Sequence, residues 1–333
     1  MRRWLIVLNV LLLLCGLVLL AKAADAFVVA SARLAMTLRI SPLVVGAVIV
    51  GFGTGAPELL VSSLAAARGS LDLAAGNAVG SNLANLTLVL GAAGLIAGPE
   101  TLPRVVRREA PVSFAAVALF GFLLQNGLSR WEGVALLVAL AAALVVMLRG
   151  VGRAPDDEAA DADFVKELEE FVEEPGEQVL VDVVAASTRR DVVRVALGLL
   201  GTVAGAQLLV VGAQRIAADI GLSGGFVGLT LVAVGTSLPE LVTAIQSARR
   251  NETALLAGNV LGSNIFNSTA VAGTAALIGP GAITDSGLTV VAVVSMVTVA
   301  GLAWLLLGTG GRLRRLEAGA LVGIYAATLP LLA

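Results

Sequence analysis

The chain contains run after run of about 20 residues that are apolar on every side, leaving no polar stripe for water. A helix of that length matches a hydrocarbon core roughly 30 Å thick. A helix on a soluble domain would show apolar residues on one face only. Inside lipid every backbone N–H and C=O must be satisfied within the protein, so such runs fold as helices. The composition agrees: 58% of the 333 residues are hydrophobic and 14% are charged, against about a quarter charged in a soluble domain. A net charge of −2 offers no basic surface for nucleic acid. There is no His, and Cys15 is the lone cysteine. That composition excludes imidazole proton relays, Ser-His-Asp triads, intrachain disulfides and multi-cysteine metal sites.

Hydropathy predicts an all-α, polytopic protein with ten transmembrane helices near 4–35, 42–67, 71–97, 105–125, 131–148, 192–218, 223–248, 254–279, 288–308 and 313–331. The substantial polar segment lies between the fifth and sixth spans. It carries Asp156, Asp157, Glu158, Asp161, Asp163, Glu167, Glu169, Glu170, Glu173, Glu174 and Glu177 around a single Lys166. Like charge at that density stays in water and reads as a solvated linker, with a short helix expected around 163–174. It lacks the alternating Asp/Asn pattern and the glycine of an EF-hand loop.

The chain repeats itself. Gly53-Thr54-Gly55-Ala56-Pro57-Glu58-Leu59 aligns with Gly235-Thr236-Ser237-Leu238-Pro239-Glu240-Leu241. Gly76-Asn77-Ala78-Val79-Gly80-Ser81-Asn82 aligns with Gly258-Asn259-Val260-Leu261-Gly262-Ser263-Asn264. One constant offset carries Glu58 to Glu240, Asn77 to Asn259 and Ser81 to Ser263, and the same offset carries Gly16 to Gly198, Ser41 to Ser223 and Gly46 to Gly228. A register that never slips indicates duplication. The organisation expected is a first five-helix repeat over 1–149, an acidic linker over 150–190 and a second repeat over 191–333. Five spans is an odd number, so the second copy starts on the opposite side of the membrane and the two repeats are inverted, as in many secondary transporters.

Arg2 and Arg3, an apolar run and Ala21-Lys22-Ala23 have the outline of a cleavable signal. The repeat gives this segment a counterpart in mid-chain and favours its retention as the first span. Lys and Arg set the orientation. With the N-terminus outside, sixteen of the 22 fall in cytoplasmic loops; Arg2, Arg3, Arg68, Arg130 and Arg215 lie outside, and Lys22 lies within the first span. The expectation is a multi-pass plasma (inner) membrane protein with both termini outside and the acidic linker in the cytoplasm.

Glu58 and Glu240 sit deep in apolar spans. An ionised carboxylate at the bilayer centre costs at least about 2.5–3.5 kcal/mol. Such a group faces a cavity, a partner or a bound cation; the alternative is a protonated Glu bonded across a helix interface. Thr54 and Thr236 lie one turn before these acids, on the same helix face. Pro57 and Pro239 remove the backbone donors that the carbonyls of Gly53 and Gly235 would otherwise meet. Ser81 and Asn85, like Ser263 and Asn267, are four apart and add hydroxyl and amide oxygens on one face. Carboxylate, hydroxyl, amide and carbonyl oxygens suit a hard cation such as Ca2+, which takes six to eight oxygens. Gly76-Asn77 and Gly258-Asn259 are expected to weaken or interrupt their helices. Gly80 and Gly262 serve either close helix packing or the site; Asn77, Asn82, Asn259 and Asn264 either orient ligands or cap helix breaks.

The paired blocks, Gly-Thr-x-x-Pro-Glu followed by Gly-Asn-x-x-Gly-Ser-Asn, resemble the alpha repeats of the calcium/cation antiporter superfamily, in its sodium/calcium exchanger branch. The resemblance covers nearly the whole chain. It implies Ca2+/Na+ antiport by alternating access, with Glu58 and Glu240 as shared Ca2+ and Na+ ligands and Thr54 and Thr236 contributing through carbonyl and side chain. Ser81, Asn85, Ser237, Ser263 and Asn267 would complete adjoining sites. Ca2+ and the monovalent cation are then transported substrates, with no resident cofactor, no enzymatic activity and no obligatory protein partner. Two positions depart from the pattern: Gly55 stands where the family usually has Ser, and Asn267 where many members carry Asp. Both remove an oxygen ligand or a charge from the monovalent-ion sites, so the coupled ion stays open between Na+, H+ and K+. A cation channel is a further reading of the same polar groups.

Overall fold

The computed structural model describes residues 2–37, 55–98, 105–148, 184–250, 253–309 and 312–332. Thr54, the expected helix around 163–174 and most of the acidic linker lie outside these residues. The described residues form helices α1 (Arg2–Thr37), α2 (Ala56–Ala67), α3 (Leu71–Ala97), α4 (105–124), α5 (Arg130–Leu148), α6 (Val184–Ile220), α7 (Gly224–Thr236), α8 (Leu238–Arg250), α9 (253–278), α10 (Leu288–Gly308) and α11 (Arg315–Leu332). They contain no strand beyond isolated bridges such as Leu128 to Gly281. Leu71–Ala97, Arg130–Met147, Arg190–Ile216 and Leu288–Gly308 are each long and apolar enough to cross a membrane. Helix α6 begins at Val184, and its membrane-length apolar segment, Arg190–Ile216, falls close to the span expected over 192–218.

The span predicted over 223–248 is two helices, α7 and α8, bent by 44°. The break falls at Ser237. Its cause is Pro239, which cannot donate to the carbonyl of Gly235 and whose ring crowds it. In the other half Pro57 sits in the first turn of α2, where a missing N–H costs nothing.

The expectation that Gly76-Asn77 and Gly258-Asn259 break their helices is corrected. Leu71–Ala84 and Thr253–Phe266 run as α-helix straight through both pairs. The departure from α geometry comes just past the Gly-Ser-Asn motif, where Asn85–Val89 and Asn267–Val271 are π-helical turns. The two π turns are themselves related by the offset of the sequence repeat. Asn77 does not compete with its own backbone, because its amide is used across the helix interface (below). Gly76 serves close approach: a Cβ there would lie 2.3 Å from the carbonyl oxygen of Gly225 on α7. At Gly80 a Cβ would lie 2.2 Å from the carbonyl oxygen of Leu229. Small residues let membrane helices meet backbone to backbone, where dispersion rather than hydrophobic exclusion holds them.

Two large apolar clusters organise the packing of the described residues, beside a small one of Ala116, Ala143 and Ile265. In one, Leu13 and Leu20 of α1 meet Leu209, Val210 and Ala213 of α6, with Val61 and Ala65 of α2 and Val227 and Val232 of α7. Asn9 of α1, 5% exposed, donates to Asp219 of α6 at 2.9 Å. In the other, Val117, Phe120 and Leu124 of α4 join Val293, Met296 and Val299 of α10 and the inner faces of α3 and α9. The packing is reciprocal: α5 lies on the end of α9, and α11 lies on the end of α3. Phe122, Trp131, Val138, Leu200, Val294 and Leu305 are exposed, as suits side chains that face lipid.

Candidate cation site

Helices α2 and α8 carry the two glutamates in their first turns. Helix α2 packs against the π turn of α9, and α8 against the π turn of α3. Each half therefore brings its acid-bearing helix to the distorted segment of the other. Single π turns inside α-helices are frequent at functional sites, since the extra residue re-aims side chains and loosens the backbone ladder. Asn85 and Asn267 are the first residues of these turns.

Glu58 is fully buried and Glu240 is 1% exposed. The hydroxyl of Ser237 donates to Oε1 of Glu58 at 3.2 Å, joining the two halves. Beneath it lies a network. Asn77 donates its side-chain amide to the hydroxyl of Ser62 at 2.9 Å and to the backbone oxygen of Glu58 at 3.4 Å. Its Oδ1 accepts from the hydroxyl of Thr236 at 3.2 Å. The hydroxyl of Ser62 donates to the carbonyl of Ala74 at 3.2 Å. In the other half Asn259 donates to the backbone oxygen of Glu240 at 3.2 Å. Asn77 and Asn259 thus orient the glutamate-bearing turns, one of the alternatives the sequence left open for them.

Ser81, Asn85, Ser263 and Asn267 are all buried. The Oγ atoms of Ser81 and Ser263, the amide atoms of Asn85 and Asn267 and Oε2 of Glu58 find no hydrogen-bond partner among the described residues. A buried polar atom without a partner costs about 1–3 kcal/mol, and one such orphan in a native fold needs a reason. These orphans come from five positions expected as ligands, and Oδ1 of Asn82, Oγ of Ser247, the amide of Asn264 and the hydroxyl of Tyr325 are likewise unpartnered among the described residues. Among the described residues no three acids, His or Cys cluster together. Among those residues, the carboxylates of Glu58 and Glu240 could meet a hard cation, with hydroxyl and amide oxygens completing its shell.

Three residues at this site escaped the sequence reading. Ser62 anchors Asn77, Ser268 accepts from the amide of Asn82 at 2.9 Å, and Phe266 lies against Gly55. None is polar or charged in a way that stands out within an apolar helix. Thr236 was expected to serve through its carbonyl and side chain; its hydroxyl lies 3.2 Å from both Oδ1 of Asn77 and the carbonyl oxygen of Ala233, which share its one proton, and its lone pairs are left for other contacts.

An all-helical bundle with several helices long and apolar enough to cross a membrane has the architecture of a multi-pass membrane protein. The sodium/calcium exchanger protein family matches residues 8–149 and 191–332. CaxA of Alkalimonas amylolytica, a putative antiporter, is 39% identical over 272 residues, covering 81% of each chain. The sodium/calcium exchanger MaX1 of Methanosarcina acetivorans is 30% identical over 355 residues, covering 98% of this chain and 99% of that one. Among solved structures, the sodium-calcium exchanger NCX_Mj soaked with 100 mM Na+ and 10 mM Sr2+ superposes with a TM-score of 0.62 at 27% identity, covering 98% of both chains. The chain belongs to the sodium/calcium exchanger family, whose members are membrane antiporters rather than enzymes.

Proposed function

We propose that this protein exchanges Ca2+ for Na+ across the plasma membrane by alternating access, with both ions held in turn between Glu58 and Glu240. The observation that carries the proposal is the set of orphaned oxygens from Ser81, Asn85, Ser263 and Asn267 packed with the two glutamate helices. Thr54 and Thr236 add carbonyl and hydroxyl oxygens. Two carboxylates balance one Ca2+ or two monovalent cations. Either load neutralises the site and lets it close, whereas two bare charges resist transfer into a dry, occluded form. That penalty on the empty site makes the cycle an exchange rather than a leak.

The proposal includes ten transmembrane helices as two inverted repeats, 1–149 and 191–333, joined by a cytoplasmic acidic linker, with both termini outside. The matched π turns and the matched Asn-to-Glu backbone bonds, each pair in the register of the sequence repeat, support the duplication.

Radioactive Ca2+ uptake into proteoliposomes, driven separately by Na+, K+ and H+ gradients, tests it. Uptake driven by Na+ and lost in Glu58→Gln and Glu240→Gln is the expected result. Undiminished uptake by both variants overturns the glutamate assignment. Gly55 and Asn267 favour keeping a second reading, Ca2+ exchange for H+ or K+ at the same site, which uptake without Na+ would select.

A further inference from the structure

Ser237 and Gly55 occupy equivalent positions, each three residues before a glutamate. The Ser237 hydroxyl reaches across to Glu58. A hydroxyl at position 55 would, by the same relation, serve Glu240. The chain has none there, and the space is taken. A Cβ on Gly55 would stand 2.5 Å from Cδ1 and 2.8 Å from Cε1 of Phe266, well inside van der Waals contact. Phe266 is 3% exposed and immediately precedes Asn267, the first residue of the π turn. Its counterpart in the other repeat is Ala84, also buried. The two halves have therefore traded volume. One set of equivalent positions holds Ser237 and a small Ala84; the other holds a bare Gly55 and a phenyl ring.

The ring removes more than a ligand. An aromatic edge offers no lone pair to Na+ and excludes water from the volume it fills. The neighbouring Asn267 is neutral, so this position adds no carboxylate to offset an additional charge. Ligand count, available space and charge all weigh against a further monovalent cation.

Building on the function proposed above, we infer that Phe266 against Gly55 closes a monovalent-ion position on the Glu240 side, so that each Ca2+ exchanges for two monovalent cations and the cycle moves no net charge. The remaining monovalent positions are those served by the Ser237 hydroxyl and by the glutamates themselves.

Stoichiometry reads this out directly. Proteoliposomes containing the full chain are clamped at zero potential with K+ and valinomycin, and the Ca2+ gradient that just balances an imposed Na+ gradient is measured. A tenfold Na+ gradient balances about a hundredfold Ca2+ gradient for two ions and about a thousandfold for three. The expected result is the hundredfold value, with no change when the clamp is set inside-negative. A thousandfold value, or a balance point that moves with potential, overturns the inference while leaving Ca2+/Na+ exchange standing. Absence of any Na+-driven Ca2+ flux instead removes the function on which the inference rests.

The cause is tested by restoring both missing features: Gly55→Ser with Phe266→Ala to reopen the space, and Asn267→Asp to add a charge. The combined variant is expected to shift the balance point toward the thousandfold value and make it sensitive to potential. Should it keep two-to-one exchange at full transport rate, Phe266 is not what closes the position. Wild-type stoichiometry decides the primary claim even if that variant does not fold.

Discussion

The hydroxyl of Ser237 donates to the carboxylate of Glu58 across 3.2 Å although the two residues are 179 positions apart. This bond ties the hinge between α7 and α8 to the acid at the start of α2. In the proposed exchange cycle, cation binding at Glu58 and the angle of the α7–α8 break are joined through this one hydroxyl. Ser237→Ala removes a hydrogen bond to a charged group, which is worth about 1.5–3 kcal/mol. The expected outcome is a rise of roughly ten- to a hundredfold in the Ca2+ concentration for half-maximal uptake. Initial rates over a Ca2+ titration check it, and unchanged affinity would show that the bond does not bear on binding.

Asn77 and Asn259 make the same bond to the turn carrying their glutamate, yet Asn77 has the heavier load, since it also holds Ser62 and Thr236. Truncating it removes an acceptor from Thr236 and a donor to Ser62, which keep their bonds to the carbonyls of Ala233 and Ala74, and each lost hydrogen bond is worth about 0.5–1.5 kcal/mol. Asn77→Ala should therefore lower the unfolding temperature in detergent and weaken Ca2+ binding more than Asn259→Ala does. Equal effects in both assays would mean that the network beyond Glu58 contributes little.

The crossing of α3 and α7 depends on glycine. Gly80→Ala places a methyl group 2.2 Å from a backbone oxygen of α7, and a backbone cannot rotate out of the way. Overpacking of this kind costs about 1–3 kcal/mol. The variant should lose thermal stability and transport together. Gly323→Ala on α11, where nothing lies within 4 Å of the added carbon, should be neutral in both.

Orientation is testable through thiols. Ser286 and Arg107 are both exposed, at loops or helix ends that the proposed topology puts on opposite sides. In a Cys15→Ser background, Ser286→Cys should react with a membrane-impermeant maleimide added to intact cells. Arg107→Cys should react only after permeabilisation. The reverse pattern would invert the assignment of both termini.

At the loop ends the fold is pinned by side chains. Asp72, at the start of α3, accepts from the backbone of Thr284 at 2.8 Å and of Asp285 at 3.3 Å, and Asp285 in turn bonds Ser223 at the start of α7. Asp72→Ala should release these groups and reduce thermal stability by about 1–3 kcal/mol, while half-maximal Ca2+ for uptake stays close to that of the unmodified protein. A large change in affinity would instead place this cluster in the transport path.

Much of this protein is legible in its sequence. Apolar length requires helices, because lipid offers the backbone no alternative partner. The constant offset between matched motifs identifies the duplication, and the matched Pro-Glu pairs mark the residues whose charge lipid would not tolerate uncompensated. Pro239 announces the break that appears at Ser237. These features are local or periodic, and their physical cost is incurred wherever the chain runs.

Tertiary structure decided what depends on a partner from elsewhere in the chain. Glycine at 76 and 258 suggested interrupted helices, but the helices persist and the distortion lies in the π turns at Asn85 and Asn267. Asn77 looked as ready to cap a break as to orient a ligand; only the arrival of Ser62, Glu58 and Thr236 around it resolves the choice. Phe266 is one apolar residue among many in the sequence, and only the fold brings Gly55 against its ring. Residue type sets what a side chain can bond or exclude. Which neighbour it meets is fixed by packing between helices far apart in sequence, and no spacing along one stretch of chain encodes that.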